Sequence, residues 1–358
     1  MRKLLSFFLA ASLIFLSTAC DGLPGFPGGV PKTTETLAEP MQGEIVRSAR
    51  ELDQCVAYAC ENMLSAVKVR LSDISVWDEL MDFYEKEQGI LVLRGITSLS
   101  MSYRTYAGYI DAELIPEYEM YVKVVAAYKS GDSSSLSPEE SRVYERAREI
   151  VGEHFSGTGT VFEKAFAVHE YLADNVEYDY SVRDDSFNVY GALIDGAAVC
   201  SGYAQAFKMF MDILNAECMI VTGEAGGEKH AWNLVNYSGE WYHVDVTWND
   251  QSEIKTRRYL NVNDGIMGRD HFWNGANYPA ARGMKYNYYR YAGKDVSTVF
   301  ALEEFFSSAY SNGERYVEVV CSYGFNADDL SFLSKYAGTF SFATAEYGDG
   351  TLLMVILS

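Results

Sequence analysis

Two alternating runs, KHAWNLVNY from Lys229 and EWYHVDVTW from Glu240, flank the small pair Ser238-Gly239. Alternation sends successive side chains to opposite faces of a strand, and a two-residue turn between two such runs signals a β-hairpin. Pairing across that turn sets Leu234 opposite His243, Trp232 opposite Asp245 and His230 opposite Thr247. His230 and Asp245 are then diagonal neighbours on one face, within reach of a hydrogen bond. A slip of one residue would put them on opposite faces, so register and chemistry are tied together.

Upstream, Tyr190–Val199 reads YGALIDGAAV, and Cys200-Ser201-Gly202-Tyr203-Ala204 then opens a helix that is apolar nearly all round. Such a helix is buried. Its first residue is a cysteine, placed where free N–H groups and the positive end of the helix dipole stabilise a thiolate. The same N–H groups can form half of an oxyanion hole. A cysteine at a helix start is by itself more often a buried hydrophobe. The His230–Asp245 spacing changes that reading: an imidazole held by a carboxylate is what a cysteine nucleophile requires.

AAVCSGYAQAF, HAWNLV and WYHVDVTWND, in that order, resemble the transglutaminase-like superfamily, in particular its bacterial cysteine-peptidase-like members. The resemblance extends through Arg258–Asp264 and Asp270-His271 and covers roughly residues 135 to 290. It implies an α+β, papain-like core, in which a central helix begins at the nucleophile and packs on an antiparallel sheet carrying the other two residues. It assigns the catalytic roles to Cys200, His230 and Asp245. Papain-like peptidases carry an oxyanion glutamine six residues before the cysteine, where this chain has Ile194, so the second oxyanion donor is unassigned. Tyr178 and Tyr180 are candidates, against the commoner reading of tyrosines as core residues.

Trp232, His243 and Tyr203 read as substrate-lining or supporting residues. Trp232 and Trp248 flank the acid, either as packing or, for Trp232, as a shield that strengthens the ion pair. His243 shares a strand face with Asp245 but lies farther from the cysteine. His154, His169 and His271 read as structural. His169-Glu170 lacks the second histidine of a zinc-protease motif and no CxxC pair exists, so neither metal nor cofactor is expected.

The remaining sequence frames this core. Arg2-Lys3, the apolar run Leu4–Leu16 and Ser17-Thr18-Ala19-Cys20 resemble a lipoprotein signal over 1–19, with Cys20 lipidated; an ordinary cleaved signal is the alternative. Residues 20–44, rich in glycine and proline up to Lys32, read as a tether. A module over 45–129 and another over 293–358 both read helix, strand, helix, strand, strand, and flank a catalytic domain over 130–292. The formal net charge of −21 excludes nucleic acid as the main partner.

The expectation is an exported thiol enzyme, anchored to the membrane surface through Cys20. It would act on an amide bond of a peptide or protein, with cell-wall peptide among the options. Hydrolysis is favoured over protein cross-linking. A non-catalytic envelope-binding module is the third reading.

Overall fold

The structure, a computed structural model, describes residues 45–357 apart from 88, 251–254 and 337. The signal, Cys20 and the tether lie outside the described residues. The chain divides into two compact units, one ending at Ala126 and including Ala276–Tyr278, the other comprising Ala127–Gly275 and the residues from Pro279 onward.

In the first unit, β1 (Ile45–Val46), β2 (Val67–Leu71), β3 (Ile96–Tyr106) and β4 (Tyr109–Tyr118) form a sheet of order β1-β2-β4-β3. The pair β1–β2 is parallel and the others antiparallel. Helices α1 (Ala49–Glu61), α2 (Ser75–Lys86) and α3 (Gly89–Arg94) complete it. The helical period from residue 45 predicts one helix to 66, whereas Ile45–Val46 is a strand. Ser48 then caps α1 by accepting from the Glu51 N–H, which fixes the helix start. Leu52, Val56 and Ala59 of α1 meet Leu80 of α2 and Leu114 of β4 in the core.

Helix α4 (Met120–Ser130) carries the chain into the second unit, where α5 (Pro138–Ile150) and α6 (Val161–Asn175) each begin with a capping box. The Ser137–Glu140 and Thr160–Glu163 pairs satisfy N–H groups that a helix leaves open. Strand β5 (Glu177–Tyr178) pairs in parallel with β6 (Ala197–Ala198), which leads directly into α7 (Cys200–Ile213). Strands β7 (Cys218–Ala225), β8 (Glu228–Tyr237), β9 (Glu240–Val244), β10 (Leu260–Val262) and β11 (His271–Phe272) form an antiparallel sheet of order β10-β9-β8-β7-β11. Between β9 and β11 lie two single turns, α8 (Val246–Asn249) and α9 (Asp264–Met267). Phe207, Met209 and Phe210 of α7 are wholly buried, and Asn233 Nδ2 on β8 donates to the Ala204 carbonyl at 3.0 Å. Helix and sheet are thus joined within one turn of Cys200.

The hairpin turn is Ser238-Gly239, with φ of 57° and 97°, matching the primed turn that suits twisted strands. Leu234 pairs with His243 as the alternation predicts, but the ladder ends at Asn233–Val244. The alternation continues to Trp248, yet the chain leaves the sheet at Asp245 and coils into α8.

The C-terminal part contains α10 (Tyr288–Tyr291), β12 (Asp295–Val296), α11 (Val299–Ser311), β13 (Tyr316–Cys321), a 3-10 segment Ala327–Lys335, β14 (Phe340–Tyr347) and β15 (Gly350–Leu357). Its sheet order, β12-β13-β15-β14, with a parallel first pair, repeats the topology of the first unit's sheet. This sheet belongs to the same compact unit as the central one and has its own cluster of buried apolar residues. Glu318 on β13 is buried and accepts from the Arg257 N–H and the Tyr316 and Tyr289 hydroxyls. The Arg257 guanidinium pairs with Glu170 on α6.

Gly202 is the tightest point of the α7 packing. A Cβ there would stand 2.5 Å from the Ser186 carbonyl and 2.8 Å from the Ala198 side chain. Helix propensity alone favours alanine by about 0.8–1 kcal/mol, while overpacking costs about 1–3 kcal/mol. Gly202→Ala is therefore expected to lower stability in urea unfolding; a rise would show that the contact yields freely.

Candidate active site

The β5–β6 pair and two anchors set the start of α7. The Val199 N–H donates to the Ser186 carbonyl at 3.0 Å, and Ser201 Oγ donates to the Phe187 carbonyl at 2.9 Å. Cys200 is left half-buried. All cysteines among the described residues are free thiols. Burial pushes Cys55, Cys60 and Cys321 up to about 11 and raises Cys218 as well, so these four resist forming thiolates at neutral pH.

His230 stands on β8 with its Nε2–H donating to Asp245 Oδ2 at 2.7 Å. Their side chains are 7% and 1% exposed. The Cys200 sulfur lies near enough to the same imidazole to raise its proton affinity. Nδ1 is the ring nitrogen left for it. Burial opposes charge on this ring, but Asp245 and the Cys200 sulfur outweigh it and push His230 up to about 10. Burial likewise opposes the Asp245 carboxylate, and His230 and His271 hold it well below the usual range.

Asp245 is a helix cap rather than a strand residue. Its Oδ1 accepts from the Trp248 N–H at 3.1 Å and its own N–H donates to the Tyr259 carbonyl at 3.0 Å. An aspartate before a helical turn is a cap signal; the β-branched alternation VDVT concealed it. The sequence reading also missed His271. Its Nε2 meets the same Asp245 Oδ2 at 3.0 Å, and its Nδ1 meets Asp270 Oδ1 at 2.7 Å.

The residues read as lining or supporting are buried. Trp232 Nε1 donates to His243 Nδ1 at 2.9 Å, and His243 Nε2 donates to Asp264 Oδ1 at 3.0 Å. Indole only donates, so His243 is the neutral Nε2–H tautomer with its lone pair taken. Burial keeps its proton affinity low, against the pull of Asp264. It supports the sheet and neither lines the cleft nor competes as a base. The Tyr203 hydroxyl faces the Val176 carbonyl and Asp250 Oδ2, each at 2.8 Å, a supporting role beneath the helix. Tyr178 is half-buried and raised to about 12, by burial first and then by Cys200. Tyr180 is 81% exposed.

The donor atoms of His230, Asp245 and His271 lie within 4.8 Å of one another. Their bonded separations of 2.7 and 3.0 Å are those of hydrogen bonds. Ligands at ~2.0–2.2 Å around one tetrahedral ion stand roughly 3.3–3.5 Å apart. In this structure the cluster is a hydrogen-bonded chain.

A helix-borne cysteine, a sheet-borne histidine and a buried aspartate thus come together on an α+β core. Residues 147–246 match the transglutaminase-like superfamily. Over 116 residues it is 27% identical to the kyphoscoliosis peptidase of Homo sapiens, and 25% identical to that of Mus musculus. Each match covers 28% of this chain and 18% of the relative, so the chain spans less than a fifth of those proteins. Among solved structures, a TGase matches at 14% identity and a TM-score of 0.30, covering 62% of this chain and 63% of that one. A protein from Cytophaga hutchinsonii assigned as a cysteine protease matches at 13% identity and a TM-score of 0.29, covering 51% and 72%.

The Asp245 contact sets the charge of His230, and the sign is testable. Because the folded value is raised from 6.5 to about 10, protonated His230 stabilises the fold fully below ~6.5, and this is lost as pH rises through about 10. Asp245→Asn removes the counter-charge and is expected to lower the His230 midpoint by about 1–3 units. NMR titration of the ring reads this directly; an unchanged midpoint would mean that Asp245 does not hold the proton.

Proposed function

We propose that the chain is a thiol acyl-transfer enzyme acting on amide bonds of peptides or proteins, with Cys200 as nucleophile, His230 as acid and base, and Asp245 as orienting carboxylate. The observation that carries this reading is the buried imidazole of His230, bonded by Asp245 at Nε2 and close enough to Cys200 for the sulfur to raise its proton affinity. His230 takes the thiol proton, and the thiolate attacks the amide carbonyl. The α7 N-terminal N–H groups stabilise the developing oxyanion. His230 then gives its proton to the departing amine, leaving a thioester on Cys200. Neutral His230 next activates water, which releases the acid, or receives the proton of an incoming amine.

Hydrolysis is the reading we favour, supported by the name of the curated relatives as peptidases. We further propose that the enzyme works at the cell surface, held by a lipid on Cys20, a reading supported by the sequence alone. Among the described residues no helix is long and apolar enough to cross a membrane.

The test incubates the purified protein with a peptide mixture, with and without a labelled primary amine. Hydrolysis yields new peptide termini; cross-linking yields ammonia and incorporated amine, and would displace the favoured reading. Cys200→Ala is expected to abolish turnover and His230→Ala to lower it about 10²–10⁴-fold. Tight peptide binding without turnover, unchanged in Cys200→Ala, would replace the enzyme by a binding module.

A further inference from the structure

The strand β11 adds a second histidine to the site, and its surroundings define its charge. Both nitrogens of His271 face carboxylate oxygens, Asp245 Oδ2 at 3.0 Å and Asp270 Oδ1 at 2.7 Å. An ionised carboxylate only accepts, so a ring bonded on both sides by carboxylates carries two protons. Asp270 is itself occupied on its other oxygen, which accepts from Tyr259 Oη at 2.6 Å and faces Arg258 Nη2 at 3.4 Å. Those donors keep it ionised. The groups facing His271 are therefore Asp245 at the α8 cap, Asp270 beside it, His230 from β8 and Tyr259 before β10, with Arg258 behind Asp270. His243 on β9 also feels its charge. The side chain itself is wholly buried.

We infer that His271 is a fixed imidazolium, a positioning residue that keeps Asp245 ionised and its Oδ2 aimed at His230 throughout turnover. The inference rests on the acyl-transfer reading of the same site. When His230 hands its proton to the leaving amine, Asp245 loses its charged partner. A buried carboxylate facing only a neutral ring would draw a proton to itself. His271, whose own proton affinity is raised by the two carboxylates against the effect of burial, removes that incentive. It also opposes excess charge on His230, since two imidazoliums sharing one oxygen repel. The ring that must both take and release a proton is thereby kept from holding it too tightly.

The backbone is built for this placement. Gly223 on β7 pairs with His230 on one side. On the other, a Cβ at residue 223 would stand 2.2 Å from the Phe272 carbonyl. Only glycine lets β11 lie this close to β7, and β11 is two residues long, so a side chain at 223 would displace His271 as well.

Two measurements test the inference. First, NMR of the wild-type imidazoles at pH 8 should find both nitrogens of His271 protonated; a single protonated nitrogen overturns the proposal without any substitution. Second, Cys200 alkylation is followed against pH in wild type and in His271→Gln, which keeps a donor near the Nε2 position but no charge. Loss of a nearby cation raises the proton affinity of every group around it, so the acid limb should move up by about half a pH unit or more. A merely structural role predicts a superimposable limb, and that result would overturn the proposal. Failure of the wild type itself to label at low pH would instead count against the acyl-transfer reading.

Discussion

A buried carboxylate must be satisfied on all sides or it neutralises, and Asp245 meets that demand with groups from separate parts of the chain. Oδ1 accepts from the backbone of α8, Oδ2 is shared by His230 from β8 and His271 from β11. Its own N–H is held by the Tyr259 carbonyl just before β10. Strands β8 and β11 and the turn after β9 are thus referred to one side chain, and the residue before β10 to its backbone. The orientation of the His230 ring follows from this, because its Nε2 is pinned by Asp245.

A second polar chain stabilises the same region from behind. Glu318 of the C-terminal sheet accepts from the Arg257 N–H, Arg257 pairs with Glu170, and Glu170 meets His169 Nδ1 at 3.0 Å. His169 Nε2 lies 2.9 Å from Asn249 Nδ2, at the end of α8. Asn249 Oδ1 accepts from the Tyr259 N–H at 3.0 Å, next to the carbonyl that holds Asp245. The C-terminal sheet is therefore not a passive appendage: its one buried acid is the far end of a hydrogen-bonded path to the α8 turn. Removing one member of such a buried network costs more than its own bond, since the partner is left unsatisfied.

Much of this was legible in the sequence because it rests on periodicity. The Ser238-Gly239 turn fixed the register of β8 and β9, and the apolar helix beginning at Cys200 could only be buried. Two-residue strands carry no period, so β1, β11 and β12 were invisible, although both end sheets begin with such a strand. The departure at Asp245 was hidden for a related reason. Val244, Val246 and Thr247 favour extended backbone, but the aspartate side chain caps a turn and competes successfully with the ladder. His271 was out of reach because its role depends on Gly223 admitting β11 beside β7, a contact between segments some fifty residues apart. His243 stayed open between lining and support because alternation gives a face and not a depth; the structure buries it against Trp232 and Trp273.

The proposed enzyme requires Cys200 and His230 to form a charged pair held by Asp245, and the rate of Cys200 alkylation by a neutral reagent at pH about 6 tests this most directly. At that pH an ordinary thiol of pKa ~8.5 is almost wholly protonated. Fast labelling of Cys200 is expected in the wild type, and its loss in His230→Ala. Slow labelling that rises only as a free thiol would, and that is unchanged by His230→Ala, would contradict it.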